Sequence, residues 1–218
     1  MQPFSTPVKL VDCHRSTPGK FATELLIVEG DSASRAVQRM RDASFQAVLP
    51  MQGKPMNAVK ASPQRVRKNQ WFQALIDALG MNWDATSANG LRYDRVCLLF
   101  DPDADGIHCG ALVLLFFDEY LAPLLNANRV TLIKPPLFSI TASGYRDRLY
   151  AFSEEHLKKI EGALREKSID YQHKRYRGLA SLEDTTLLET CLDPASRTTH
   201  LLRPEDASSA RRLFGGMP

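Results

Sequence analysis

Apolar residues in this chain fall into short unbroken runs that alternate with helical stripes. Residues 24–29, Glu24-Leu-Leu-Ile-Val-Glu29, predict a strand that stops at an acid. Gly30-Asp31-Ser32 follows, and the stretch to residue 40 has helical character, so a strand, a tight turn and a helix are expected in succession. Residues 46–50 predict a second strand leading into the loop Met51-Gln-Gly-Lys-Pro-Met-Asn57. Over 69–79, Trp71, Phe72, Leu75, Ile76 and Leu79 make a helical stripe that Gly80 is suited to stop. Residues 95–100 are a continuous apolar run with a charged start, the pattern of a strand buried on both faces, and the run ends at Asp101. A helix is expected over about 108–125 and another strand over 130–133.

Strands alternating with helices imply an α/β fold, a parallel sheet flanked by helices. In such sheets ligands bind beyond the carboxyl ends of the strands. Glu29 and the acids at 101–105 both fall there in this reading. After Pro135-Pro136 the pattern changes to a smaller α+β tail. Residues 137–141 and 148–152 predict a hairpin turning at Ser143-Gly144. Ser153 is suited to cap a helix reaching Arg165, and Ser181 a further helix with Asp184 as its capping-box acid. Pro204 opens a last helix that ends before Gly215. The expected division is an irregular arm at 1–22, the α/β domain at 23–138 and the tail at 139–218.

Composition narrows the class without deciding it. The 218 residues are 44% hydrophobic and 24% charged, enough for a real core in an ordinary globular protein. A net charge of +3 permits a polyanionic partner but does not require one. Cys13, Cys97, Cys109 and Cys191 form no paired spacing, which argues against a disulfide framework or zinc site and suits a reducing cytoplasm. The N-terminus lacks the apolar run of a secretory signal, and the longest apolar stretch, near 111–117, is too short to span a bilayer, so no membrane partner is expected.

The acids carry the candidate chemistry. Asp101-Pro-Asp103-Ala-Asp105-Gly106 sets three carboxylates in five residues, which in an extended segment would face one side. Like charges this close raise one another's pKa unless a cation neutralises them, and hard oxygen donors favour Mg²⁺ or Ca²⁺. The competing reading is a solvated acidic turn; the buried strand before it and the helix after it favour metal. An EF-hand loop would need a bidentate Glu where Leu112 stands, and fails. A phosphatase with an aspartyl nucleophile stays open on this motif alone. Glu29, at the end of another strand, is either an exposed terminal acid or a partner of the aspartates in metal binding and proton transfer. His108 either supports the acids or merely starts a helix. No Walker A sequence accompanies them.

Glu29-Gly30-Asp31-Ser32-Ala33 after an apolar strand, with Asp101-x-Asp103-x-Asp105-Gly106-x-His108 downstream, resembles the two acidic motifs of a Toprim domain. The intervening Leu49-Pro50-Met51-Gln52-Gly53-Lys54-Pro55-Met56-Asn57 resembles the loop of gyrase and topoisomerase IV B subunits. Leu91-Arg92-Tyr93, Pro135-Pro136-Leu137-Phe138, Arg175-Tyr176-Arg177-Gly178-Leu179 and Asp193-Pro194-x-Ser196-Arg197 fall in that family's order. The resemblance covers nearly all of the chain beyond the arm and displaces the phosphatase.

It implies a Toprim-type, Rossmann-like sheet acting within a type IIA DNA topoisomerase, an isomerase. Glu29, Asp101, Asp103 and Asp105 match the residues expected to hold Mg²⁺, with Mn²⁺ or Ca²⁺ as substitutes; Glu29 would also be the acid–base group for the DNA 3′-oxygen. Lys54, Asn57 and Arg177 are the expected contacts to double-stranded DNA. The nucleophilic tyrosine would come from an A-type subunit, and ATPase activity from a separate subunit, since the family's ATPase and transducer domains have no counterpart in this sequence. The start at Met1 and the untagged end suggest a natural short gene.

Several positions depart from the family. Gln52 stands where lysine is usual, Ser34-Arg35 replaces a small glycine-rich pair, Pro102 replaces alanine, Ala180-Ser181 replaces Gly-Glu, and Ile107-His108-Cys109 keeps only the histidine. These departures motivate two alternatives: a stand-alone Toprim module that binds DNA or an A-type subunit and regulates without turnover, and a nuclease acting alone.

Overall fold

The computed structural model describes residues 9–14 and 22–214, so most of the expected N-terminal arm lies outside the described residues. The first half of the chain alternates as its patterning predicts. It runs β1 (Glu24–Glu29), α1 (Gly30–Met40), β2 (Gln46–Met51), α2 (Pro63–Arg67), α3 (Gln70–Leu79), β3 (Arg95–Leu99), α4 (Ala104–Tyr120), α5 (Ala122–Asn126) and β4 (Val130–Ile133). The second half runs β5 (Phe138–Ala142), β6 (Leu149–Ala151), α6 (Glu154–Glu166), β7 (Tyr171–Arg175), a 3₁₀ turn (Leu179–Ser181), α7 (Asp184–Leu187), a π-helical turn (Leu188–Leu192), β8 (Thr199–Leu201) and α8 (Pro204–Phe214).

The main sheet has the order β2-β1-β3-β4-β8. Its first four strands are parallel and β8 joins β4 antiparallel, with Leu132 opposite His200. Period-two alternation divides the buried strand residues between two cores. Leu25, Ile27, Leu49, Val96 and Leu98 face a core closed by α3, α4 and α8, where the Phe72 and Phe116 rings stack at 4.1 Å. Leu26, Val28, Val48, Cys97 and Leu99 face the other, closed by α1 together with Tyr176, Leu179, Leu187 and Leu192. Both faces are therefore covered, as a parallel sheet requires, and the later part of the chain supplies half of that cover.

Residues 138–175 form a separate three-stranded antiparallel sheet, order β6-β5-β7, with Phe138 opposite Ala151. The predicted hairpin is present, and Ser153 caps α6 by accepting from the His156 N–H at 3.0 Å. Two expectations fail. Ser181 caps no helix; α7 begins at Asp184 behind Glu183, while the Ser181 hydroxyl is used within its own turn. The helix expected to run unbroken to about 125 stops at Tyr120, because Pro123 lacks an N–H and its ring would collide with the carbonyl one turn earlier. Strands β7 and β8 and helix α2 escape the patterning, being short or polar. Among the described residues, no helix is long and apolar enough to cross a membrane.

A buried ion pair fastens the returning chain to the sheet. Arg197 and Glu24, with side chains 3% and 2% exposed, meet in a two-point contact, and the Gln46 amide donates to both Glu24 and the Leu192 carbonyl. Removing one member of such a pair strands the other charge away from water. Arg197→Ala should therefore lower unfolding stability by about 3–5 kcal/mol, read by guanidinium titration. A loss below about 1 kcal/mol, the range of exposed pairs, would show that the contact fastens nothing.

Candidate functional site

The parallel register brings the two acidic segments together. Val28 of β1 lies opposite Leu99 of β3, so Glu29 stands level with Phe100 and Asp101 follows one residue on, both at the carboxyl edge of the sheet. Gly30 turns the chain out of β1 with φ +75°, a conformation costly for residues with a Cβ, and α1 starts at once.

The aspartates do not share one extended segment. Helix α4 begins at Ala104, four residues earlier than its patterning indicates. Asp103 is its N-cap and accepts from the Gly106 N–H at 2.8 Å, which puts Asp105 in the first turn rather than in line with Asp101. The physical reason is local: an N-capping aspartate satisfies a free N–H of the first turn and begins the helix where it stands. Gly106 makes this tight entry fit, because a Cβ there would strike the Asp101 carbonyl oxygen.

Electrostatically the four acids still form one group. Glu29 is pushed above the usual carboxylate range, first by burial and then by the charges of Asp101, Asp103 and Asp105; a hydrogen bond with the Cys109 thiol partly offsets this. Asp101 is likewise raised, mainly by burial, against a hydrogen bond of 2.8 Å that it accepts from the Leu179 N–H. Cys109 is fully buried behind Glu29, and its thiol is pushed up to about 12 by burial and by Glu29. Asp31 stands apart from this group, tied to the Gln52 amide at 2.9 Å and to Lys9 at 3.3 Å and held below the usual range by them.

The other expected site residues divide in their placement. Lys54 reaches into the acidic group, its Nζ 3.1 Å from Asp105 Oδ1. Arg177 is exposed, one residue from the Gly178 that abuts Asp101. Asn57 is committed internally: its amide donates to the Phe214 carbonyl at 2.9 Å, and its oxygen accepts from the Val59 and Lys60 N–H groups. His108 stacks on Phe214 with ring centroids 4.8 Å apart. Cys109, Gly178 and Leu179 also belong to the site; hydrophobic patterning does not single them out, although Gly178 and Leu179 lie in one of the segments that resemble the family. The first carries a signal, since it lies one helical turn beyond Asp105; the other two are distant in sequence.

Among the described residues, no three His, Cys, Asp or Glu side chains converge closely enough to ligate an ion in their present rotamers. The donor set nonetheless fits a hard divalent cation. It is all oxygen, and the burial and neighbouring negative charge that raise Glu29 and Asp101 are what such a cation would offset. Closing on an ion needs rotation of exposed carboxylates, above all Asp105, now held by Lys54.

The Toprim domain family matches residues 24–135, the stretch that contains β1 to β4 and every acid of the group. The chain belongs to the Toprim family. It is similar to the DNA gyrase B subunit of Thermotoga maritima, 39% identical over 215 residues, covering 98% of this chain and 33% of that protein. The DNA gyrase B subunits of Archaeoglobus fulgidus (37% identical, 95% of this chain, 32% of that protein) and Thermus thermophilus (34%, 95% and 33%) align likewise. The chain spans about a third of the length of these relatives.

The Toprim acids should cost the fold stability at neutral pH. A carboxyl whose pKa is raised by folding binds protons more readily when folded, so its penalty is present above the folded pKa and fades as pH falls through it. Glu29→Gln should therefore unfold at a higher denaturant concentration than the parent at pH 7, with the gap closing as pH is lowered toward the carboxylate range. Equal midpoints at pH 7 would show that neither burial nor neighbouring charge burdens the Glu29 carboxylate.

Proposed function

We propose that this chain is the acidic, metal-holding part of a type IIA DNA topoisomerase, acting with an A-type subunit that carries the nucleophilic tyrosine and with an ATPase supplied by another domain or chain. The observation that carries this reading is the meeting of Glu29 and Asp101 at adjacent strand ends, where burial and the charge of Asp101 raise Glu29. The similarity of 95–98% of the chain to DNA gyrase B subunits supports it.

Glu29, Asp101 and Asp103, completed by Asp105, would hold Mg²⁺, or Mn²⁺ in its stead. Such an ion supplies charge stabilisation to the reacting phosphodiester oxygens. The chain's own residues do the remainder. Lys54, freed from Asp105, and the exposed Arg177 would bind backbone phosphates of double-stranded DNA and set its register. Asn57 would act by shaping the loop that carries Lys54, through its bonds to Val59, Lys60 and Phe214.

When the partner's phenol oxygen bonds to phosphorus, the bond from phosphorus to the 3′-oxygen breaks and that oxygen needs a proton. Glu29, whose raised pKa keeps it closer to the acid form than a free carboxylate, would give one and recover it on religation. The phenol's proton leaves to solvent and returns when the tyrosine is released, so the cycle balances. All four cysteines are buried, which suits a reducing cytoplasm.

A second reading, binding without turnover, draws on Gln52, whose amide is spent on Asp31 where the family usually presents a lysine. One experiment separates the two. The chain is combined with a gyrase-type A subunit, an ATPase domain, supercoiled DNA and Mg²⁺, and covalent protein–DNA adducts are counted. Adducts should form, and Glu29→Ala should reduce them by about a hundredfold or more while leaving DNA binding in place. Binding with no adducts from the parent chain would favour the regulatory reading. Adducts undiminished in Glu29→Ala would remove Glu29 from the chemistry.

A further inference from the structure

The turn after β7 reaches back across 78 residues of sequence to touch Asp101. The Leu179 N–H donates to Asp101 Oδ1 at 2.8 Å, while the Gly178 Cα lies against the opposite oxygen. A Cβ on Gly178 would stand 2.5 Å from Asp101 Oδ2 and 2.8 Å from its Cγ, inside any real contact. Gly178 has φ 170° and ψ 174°, extended backbone open to any residue. Space against the carboxylate, and not backbone conformation, is thus what calls for glycine here.

The turn is itself held from three directions. The Leu179 side chain is fully buried in the core formed with Leu26, Val28 and Leu99. Tyr176, 1% exposed, donates its hydroxyl proton to Glu183 at 2.6 Å. Ser181 donates to the Gly178 carbonyl at 2.6 Å and accepts from the Arg177 N–H at 3.1 Å.

We propose that Gly178, Leu179 and Ser181 form a positioning clamp for Asp101: the turn fixes one carboxylate oxygen and leaves the other aimed by contact with the Gly178 backbone. The clamp couples the tail to the acidic group, so the orientation of Asp101 is set by residues from the second half of the chain. None of the three is a catalytic residue; they act through Asp101. The consequence for ion binding rests on the function proposed above, whereas the clamp itself does not.

Two measurements on the full chain test it separately. Hydrogen exchange at the Leu179 amide, followed without metal, should accelerate about tenfold or more in Asp101→Ala, while the amides of Val28 and Leu99 keep their rates. An unchanged Leu179 rate would overturn the clamp. In Gly178→Ala the short carboxylate must rotate away, so Mn²⁺ affinity read by calorimetry should fall about 10- to 100-fold, the usual effect of disturbing a ligand's support, with the thermal midpoint near that of the parent. Parental affinity in that variant would equally overturn it. Should Gly178→Ala fail to fold, Ser181→Ala adds no bulk and should both speed Leu179 exchange and weaken Mn²⁺ binding; the absence of both changes would refute the proposal. If the parent chain takes up no Mn²⁺, the topoisomerase reading falls, and Leu179 exchange still decides the clamp.

Discussion

Carboxylates brought together at the ends of two neighbouring parallel strands repel one another, and the rest of the molecule has to hold them there. Glu29 and Asp101 are fixed by backbone registration, because β1 and β3 are paired up to Val28 and Leu99. Those strands are held in turn because their residues alternate between two apolar cores. Desolvation and like charge both push Glu29 toward its neutral form. A fold that tolerates this stores unfavourable energy at one edge, which a bound cation would release. The same edge is where open α/β sheets ordinarily place ligands.

The second half of the chain is bound into this arrangement. Its residues Tyr176, Leu179, Leu187 and Leu192 cover the face of the sheet that α1 alone leaves open. Arg197 reaches the opposite end of β1 at Glu24, while Leu179 reaches Asp101 beyond the end of β3. The returning segment thus grips the sheet at both ends. Helix α8 adds cover on the other face beside α4. Stability and site geometry consequently depend on the same residues.

Much of this is legible in the sequence because the strands are short apolar runs that end in acids. The bounds of β1 and β4 agree with the patterning, and the Toprim resemblance rests on motifs that the family match over 24–135 bears out. The start of α4 is not legible, because apolar periodicity begins later than the helix does; the first turn is Ala104, Asp105 and Gly106, defined by the Asp103 cap rather than by burial. Strand β7 is polar at nearly every position, since one side of its sheet is open to solvent, and β8 has only three residues. The Asp101–Leu179 contact has no local signal at all. It joins backbone to side chain across distant segments, and only the glycine at 178, in extended backbone that any residue adopts, hints that something lies close by.

The most direct test of the shared acidic centre is paramagnetic broadening of the chain's backbone resonances by substoichiometric Mn²⁺. A site built from both strand ends should broaden the amides around Glu29 and those around Asp101 to Asp105 together, with Gly178 and Leu179 beside them. Broadening confined to one of the two acidic segments, or spread over unrelated surface carboxylates, would contradict a single ion held between β1 and β3.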